Sequence, residues 1–288
     1  MSCKITVSKV IAWVLTFFFF LFVLVPFMMV FFTSFKTIQE INDMPYRSLW
    51  HRIVPDDFLN FDNIVSVFNG TASQLNGVPF YRFIMNSLIV TFVSLFPSLV
   101  LAATSAYGFA KFNFPGKNLI FYMFLGLVMV PMEMISIPLF MTISKLNLIN
   151  TYLGLMIPSF ISAFGTFLLK ESIEPIPNSY IEAGRIDGAK EFTIFARLIM
   201  PMLSGPVVTF IIIKCTWCWN DFFWPLMVVS NESMKTVTLG LSKFSNDLFK
   251  EYGQLNSAVL LSLIPLLAVF VVSHRKIKVG LMGSGIKG

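Results

Sequence analysis

PNSYIEAGRIDGAKEFTIFARLIMP, residues 177–201, is the one long polar interruption in the second half of an otherwise apolar chain. Pro177 suits a first helical turn, where its missing N–H is not needed. Residues 179–187 read as a short helix carrying Glu182, Ala183 and Gly184 in succession. Gly188 breaks it, because glycine takes backbone angles that other residues avoid. Residues 190–199 read as a second helix, with Phe192, Phe195, Leu198 and Ile199 at roughly helical spacing, and Pro201 is expected to stop it. The expectation is two short amphipathic helices at an angle, outside the membrane and between two spans. Small residues at 183, 184, 188 and 189 would let another protein's backbone come close; an ordinary surface loop would show the same amphipathicity.

The rest of the chain sets that stretch in a membrane. Of 288 residues, 56% are hydrophobic and 12% charged, against about 25% charge in a soluble domain. Mean hydropathy is +0.77. The 33 phenylalanines suit lipid-facing surfaces. A net charge of +6 in such a chain is a matter of loop location and gives no reason to expect nucleic acid. Residues 10–32 form an apolar run of about 23, long enough to span a bilayer and without a cleavage site behind it. Further spans read at 83–110, 119–143, 152–169, 206–225 and 255–273. Residues 33–82 form a polar loop in which LNFDNIVSVFNG, 59–70, reads as one short amphipathic helix. The class is an all-α polytopic membrane protein with six transmembrane helices. Three regions follow: residues 1–80 (tail, first span, loop), a core at 81–273 with its inner loop at 171–204, and a tail at 274–288. The short loops on the side of residue 185 hold more Lys and Arg than those on the other side. The bias puts both termini and the 177–201 loop in the cytoplasm.

Residues that could carry chemistry are few. Glu133, in VMVPMEMISIP (128–138), is an ionisable group at mid-span, where such groups usually face a cavity or a partner. It lines a pathway, or it forms a structural pair, for instance with Lys214. Trp219, Asn220 and Asp221 sit at the end of the fifth span, where aromatic faces and polar groups suit a sugar. Trp224 reads more simply as part of an interfacial aromatic belt. Cys215 and Cys218 have C-x-x-C spacing, but within an apolar run they read as packing rather than redox chemistry. The chain holds no Walker A loop, G-x-S-x-G or H-E-x-x-H pattern, so no enzymatic activity is expected.

With these residues in view, the chain resembles the permeases of importer-type ABC transporters. Glu182-Ala183-Gly184, three residues, Gly188, nine residues, then Leu198-Ile199-Met200-Pro201 matches the spacing of their Glu-Ala-Ala loop. Gly184, Leu198 and Met200 replace that pattern's Ala, Ile and Leu. Residues 83–88 (which include Asn86), SAYGFAKFNFPGK (105–117), residues 137–139, WNDFFWPL (219–226) and GLMGSGIKG (280–288) extend the resemblance to the carbohydrate branch, and within it to the second permease of maltose and multiple-sugar importers. The resemblance implies a type I importer permease fold in the cell membrane. It implies an ATPase-coupling surface at Glu182, Ala183, Gly184, Asp187 and Gly188, and a pathway at Asn86, Glu133, Trp219, Asn220 and Asp221. It further implies no cofactor bound directly, with ATP used by a partner ATPase. The implied partners are a second homologous permease, two ATP-binding subunits, an extracytoplasmic sugar-binding protein and membrane lipid. An ion-coupled secondary transporter using Glu133 and Asp221, or an ABC permease for a non-sugar solute, are the alternatives.

Overall fold

The computed structural model describes residues 7–245 and 251–283. Cys3, Lys4, Lys250 and the last five residues of the closing glycine-rich run lie outside them. In chain order the main helices are α1 (Val7–Thr33), α2 (Leu49–Ile53), α3 (Phe80–Lys111), α4 (Lys117–Gly126), α5 (Met132–Lys145), α6 (Tyr152–Met156), α7 (Ala163–Ile173), α8 (Asn178–Ile186), α9 (Glu191–Ile194), α10 (Ser204–Asn220), α11 (Phe223–Val228) and α12 (Tyr252–Gly283). No strand occurs among the described residues. Among the described residues four stretches are long and apolar enough to cross a membrane: Ile11–Thr33, Phe80–Lys111, Tyr152–Ile173 and Tyr252–Val271. Two bent pairs bring the number to six when each counts as one span.

The bent pairs locate one interruption and correct another expectation. The third span, at 119–143 with Pro131 and Pro138 within it, breaks after Met129 and resumes at Met132 with a bend of 99°. Pro131 is the cause: it starts α5 as its N-cap and cannot continue the helix before it. Pro201 was expected to stop the second loop helix, but the helical path runs on to Met202. Residues 195–199 form a π turn in which the Met200 N–H donates to the Phe195 carbonyl. Pro201 has no N–H to donate, and the wider turn just ahead of it leaves room for its ring. The break falls instead at Leu203, and the path bends there by 81° into α10. The backbone passes without a break through the 273/274 boundary expected between last span and tail, since α12 runs to Gly283 and no proline follows Pro265 to interrupt it.

The chain divides into two compact units: one up to Tyr81 together with Gly240–Ile264, the other Arg82–Leu239 and from Pro265 onward. The N-terminal unit therefore includes residues that the sequence assigned to the core. In it the expected amphipathic helix is present at Asp62–Asn69, with Val67 buried and Gly70 capping it at φ +79°. Lys36 is buried, its ammonium donating to the carbonyls of Arg52 (2.6 Å) and His51 (3.2 Å). Burial pushes that ammonium below its usual range, while the Glu40 carboxylate acts in the opposite direction. Glu40 closes a capping box with Thr37 and also accepts the Asp56 N–H at 3.0 Å.

Two apolar cores stand out among the described residues of the second unit. One gathers Ala102, Ala103, Ala106 and Tyr107 of α3 with Leu169 and Ile173 of α7, Phe210 of α10, and Ile181, Ile194 and Ile199 of the 177–201 segment. The other surrounds Trp224, with Val90, Ile143, Leu155, Met156 and Val228. Trp224 is thus a core residue and not the interfacial belt residue expected; its indole N–H donates to the Gly154 carbonyl at 3.0 Å. Three hydroxyls within the spans bond to their own helix: Ser94 to the Val90 carbonyl, Thr104 to Val100, Thr216 to Ile212. Such back-bonding lets polar side chains sit where water is absent. Cys215 is buried and both it and Cys218 are free thiols.

Gly154 is the tightest point of the second core. A methyl group there would run into the backbone carbonyl of Leu148, which has no rotamer to give. Gly154→Ala is expected to cost about 1–3 kcal/mol of stability through overpacking. Gly108→Ala, where nothing lies within 4 Å, is expected to leave stability level or slightly raised. Thermal melting of the two purified variants beside the parent chain checks this.

Candidate functional site

The 177–201 segment is built as an elbow. Asp187 caps α8, and Gly188 follows at φ +79°. The Gly188 N–H donates to the Arg185 carbonyl (3.0 Å) and the Ala189 N–H to the Gly184 carbonyl (2.9 Å). This is a Schellman closure, which needs a left-handed residue at 188 and so selects glycine. A charged pair locks the elbow from outside: Arg185 Nε donates to Glu191 Oε1 at 2.6 Å. The Tyr107 hydroxyl donates to Glu191 Oε2 at 3.0 Å and ties α9 to α3. Hydrogen bonding to Glu191 holds the Arg185 guanidinium above its usual range. At the entry, Lys111 donates to the carbonyls of Ile176 and Glu174 and to Asn178 Oδ1, closing the chain between α7 and α8.

One side of the elbow is seated and the other is free. Ile181 and Ile194 are buried in the first core. Glu182, Ala183, Asp187 and Gly188 are exposed, and beside them Ile186 and Phe192 show 86% and 75% of their surfaces. Gly184 is half-buried, and a Cβ on it would lie 3.2 Å from Ile194 Cγ1, so its small size also serves the packing of α8 on α9.

The pathway candidates do not form one cluster of free polar groups. Asn86 is buried with its hydrogen bonds made: its amide donates to the carbonyls of Ser233 and Lys235, both at 2.9 Å, and its oxygen accepts the Tyr152 hydroxyl at 2.7 Å. Ser87 accepts the Val237 N–H at 2.9 Å. Together they clasp residues 233–237 to the start of α3. Trp219 is buried beside a small cavity lined by Leu88, Thr91, Cys215 and Pro265. Asn220 is exposed and donates to the Thr216 carbonyl. Asp221 sits at the α10–α11 break; its carboxylate accepts the Trp224 N–H at 3.3 Å and its carbonyl the Thr238 hydroxyl at 2.6 Å. Glu133 lies exposed in the first turn of α5. Among the described residues no ion pair joins it to Lys214, whose ammonium donates to the Ser159 carbonyl. No group of three His, Cys, Asp or Glu suited to a metal occurs among the described residues.

Sequence reasoning missed the Arg185–Glu191–Tyr107 chain and the exposed pair Ile186 and Phe192. Opposite charges three residues either side of Gly188 were the available signal for the first. Nothing in the spacing separates Phe192, which faces out, from Ile194, which faces in, without the position of the core.

Residues 98–277 match the family model described as "Binding-protein-dependent transport system inner membrane component". The chain is 30% identical over 230 residues to the arabinooligosaccharides transport system permease protein AraQ of Bacillus subtilis, covering 80% of each chain. It is 28% identical over 235 residues to the sn-glycerol-3-phosphate transport system permease protein UgpE of Shigella flexneri, covering 81% of this chain and 83% of the relative. Its fold is like that of a chain from a bacterial ABC transporter involved in the import of the acidic polysaccharide alginate, with TM-score 0.80 and 20% identity over 96% of this chain and 98% of that one.

Replacing Gly188 tests the elbow itself. Gly188→Val forces a β-branched residue to φ +79° and is expected to lower stability by about 1–2 kcal/mol. Gly188→Asn should cost less, because asparagine tolerates the left-handed region. Equal melting temperatures for Val, Asn and the parent would show that the closure carries no strain-dependent role.

Proposed function

We infer the role of this chain from the family it belongs to, the binding-protein-dependent transport system inner membrane components. It is a multi-pass protein of the cell membrane and one component of an ABC transporter. We propose that it is a permease subunit moving a sugar or sugar derivative inward, with the energy of ATP supplied by a separate ATPase. The named relatives act on arabinooligosaccharides and sn-glycerol-3-phosphate, which supports that substrate class. Membership of this family sets aside the ion-coupled alternative. In this reading the chain pairs with a second permease, two ATP-binding subunits and an extracytoplasmic binding protein. Both termini lie on the ATP side, in keeping with the Lys and Arg bias.

One observation carries the mechanism: the elbow at Gly188 is tied to the chain by the Arg185–Glu191 pair and the Tyr107 hydroxyl, yet presents an outward face of Glu182, Ala183, Ile186 and Phe192. A partner seated on that face grips a lever. Its inner side joins α3 through Glu191 and Tyr107. Its downstream end joins α10 through the π turn and the Leu203 bend. Movement of the ATPase subunits on binding ATP is thereby passed to two spans together, which is how a contact outside the membrane biases a two-state transport core. Ile186 and Phe192 supply apolar contact area, and Glu182 a charge-assisted hydrogen bond to a basic group across the interface.

Glu182→Gln keeps size and helix propensity but removes the charge. It is expected to lower ATP hydrolysis stimulated by loaded binding protein in the reconstituted complex, and Glu182→Lys to lower it further. Parental stimulation in both variants removes Glu182 from the coupling and leaves the face held by shape and apolar contact. Glu133 is assigned to the pathway or to the face of the second permease, since an ionisable group at that depth needs water or a partner. Glu133→Gln is expected to transport nearly as well as the parent, while Glu133→Leu leaves a polar partner unpaired at about 1–3 kcal/mol and transports less. Uptake of labelled substrate by vesicles separates the two.

A further inference from the structure

The chain leaves α1 at Thr33, and three residues later Lys36 is buried against the end of α2, its ammonium on the carbonyls of His51 and Arg52. A cation at the last carbonyls of a helix is favourably placed against its dipole. The consequence is positional. The C-terminal end of α2 is fixed beside the exit of the first span. The Ile11–Thr33 stretch, at 1.5 Å per residue, is about 35 Å long against roughly 30 Å of hydrocarbon, so its end reaches the headgroup layer.

The segment around α2 is locked rather than loose. Arg52 donates to the carbonyls of Arg47 and Pro45, both at 2.8 Å, and Arg47 pairs with Asp56. Glu40 accepts the Asp56 N–H. Yet its large apolar side chains point away from this network. Leu49, Trp50 and Ile53 are 76%, 68% and 48% exposed, and Tyr46 just ahead of them is 91% exposed. At 3.6 residues per turn the three α2 residues share an arc of about 100°, with His51 and Arg52 on the remainder. A tryptophan and a tyrosine beside two aliphatic residues, flanked by basic groups, is the composition of a helix that lies in a membrane interface.

We propose that α2 is an interfacial membrane anchor, lying on the bilayer surface where the first span emerges, with Leu49 and Ile53 toward the acyl chains and Trp50 and Tyr46 at headgroup level. Lipid is the occupant because Lys36 fixes α2 three residues beyond the end of α1, where that span reaches the headgroup layer. The most apolar stretch of α1 buries none of its residues inside the chain and ends within three residues of Lys36. The polar side of α2 is held within the chain, Arg47 by Asp56 and Arg52 by the carbonyls of Arg47 and Pro45, so the apolar and aromatic side chains are what it offers the bilayer. The anchor sets the depth at which the first span leaves the membrane. It rests on the geometry of the N-terminal unit and stands apart from the transport reading.

The test uses the full chain, with the subunits that co-purify with it, in nanodiscs of phosphatidylcholine and phosphatidylglycerol. Subtracting the tryptophan emission of Trp50→Phe from that of the parent isolates the Trp50 share; Phe is a mild change at so exposed a site. Phosphatidylcholine brominated at shallow acyl positions is expected to quench that share by about half, deeply brominated lipid less, and aqueous acrylamide little. Quenching by acrylamide without quenching by any brominated lipid places Trp50 in water and overturns the proposal. Quenching by neither places it under another protein, such as the second permease or a docked binding protein, and overturns it equally. The Leu49→Glu variant gives an independent reading: if α2 lies on lipid, it should weaken shallow-lipid quenching of Trp50 at least twofold. Unchanged quenching in that variant counts against the anchor.

Discussion

A backbone carbonyl left free where a helix ends in or near a membrane has little water to turn to, and closing such carbonyls is the constraint most of this structure answers. Long side chains do the closing. Lys111 reaches the carbonyls of Glu174 and Ile176 after α7, and Lys214 that of Ser159. Asn86 takes those of Ser233 and Lys235, and Trp224 that of Gly154. In the N-terminal unit Lys36 does the same for α2. Each donor comes from a residue distant in sequence, so each closure also fixes where two parts of the chain meet. The bent third and fifth spans, and the break between α6 and α7, are tolerable because neighbouring segments supply these partners.

The same logic gives several of the polar residues implied to line a pathway a partner within the chain. Asn86 has its amide hydrogens and its oxygen occupied. Asp221 holds the start of α11 and the Thr238 hydroxyl. Asn220 and Glu133 differ in standing exposed, with Asn220 donating to the Thr216 carbonyl of its own helix. A polar side chain in an apolar chain is first a means of satisfying backbone. It becomes available for a ligand when that need is absent. The exposed face of the elbow differs in kind: its residues are anchored from behind by Ile181 and Ile194, which frees Glu182, Ile186 and Phe192 to face outward.

By itself the sequence determined the class, the six apolar stretches and the elbow. Long apolar runs, proline and glycine act through local physics: the length needed to cross hydrocarbon, a missing N–H, an accessible positive φ. Gly188 is legible for that reason, and its backbone angle is the one its position requires. The tertiary structure alone decided what depends on distant neighbours. Which of Phe192 and Ile194 faces out follows from where α3, α7 and α10 place the core. The Glu191 bridge between Arg185 and Tyr107 joins residues 84 apart at its longer step. Pro201 ends nothing because a π turn forms ahead of it. Lys214 pairs with a carbonyl and not with Glu133 because α5 and α10 are placed by packing, which no local pattern in the sequence records.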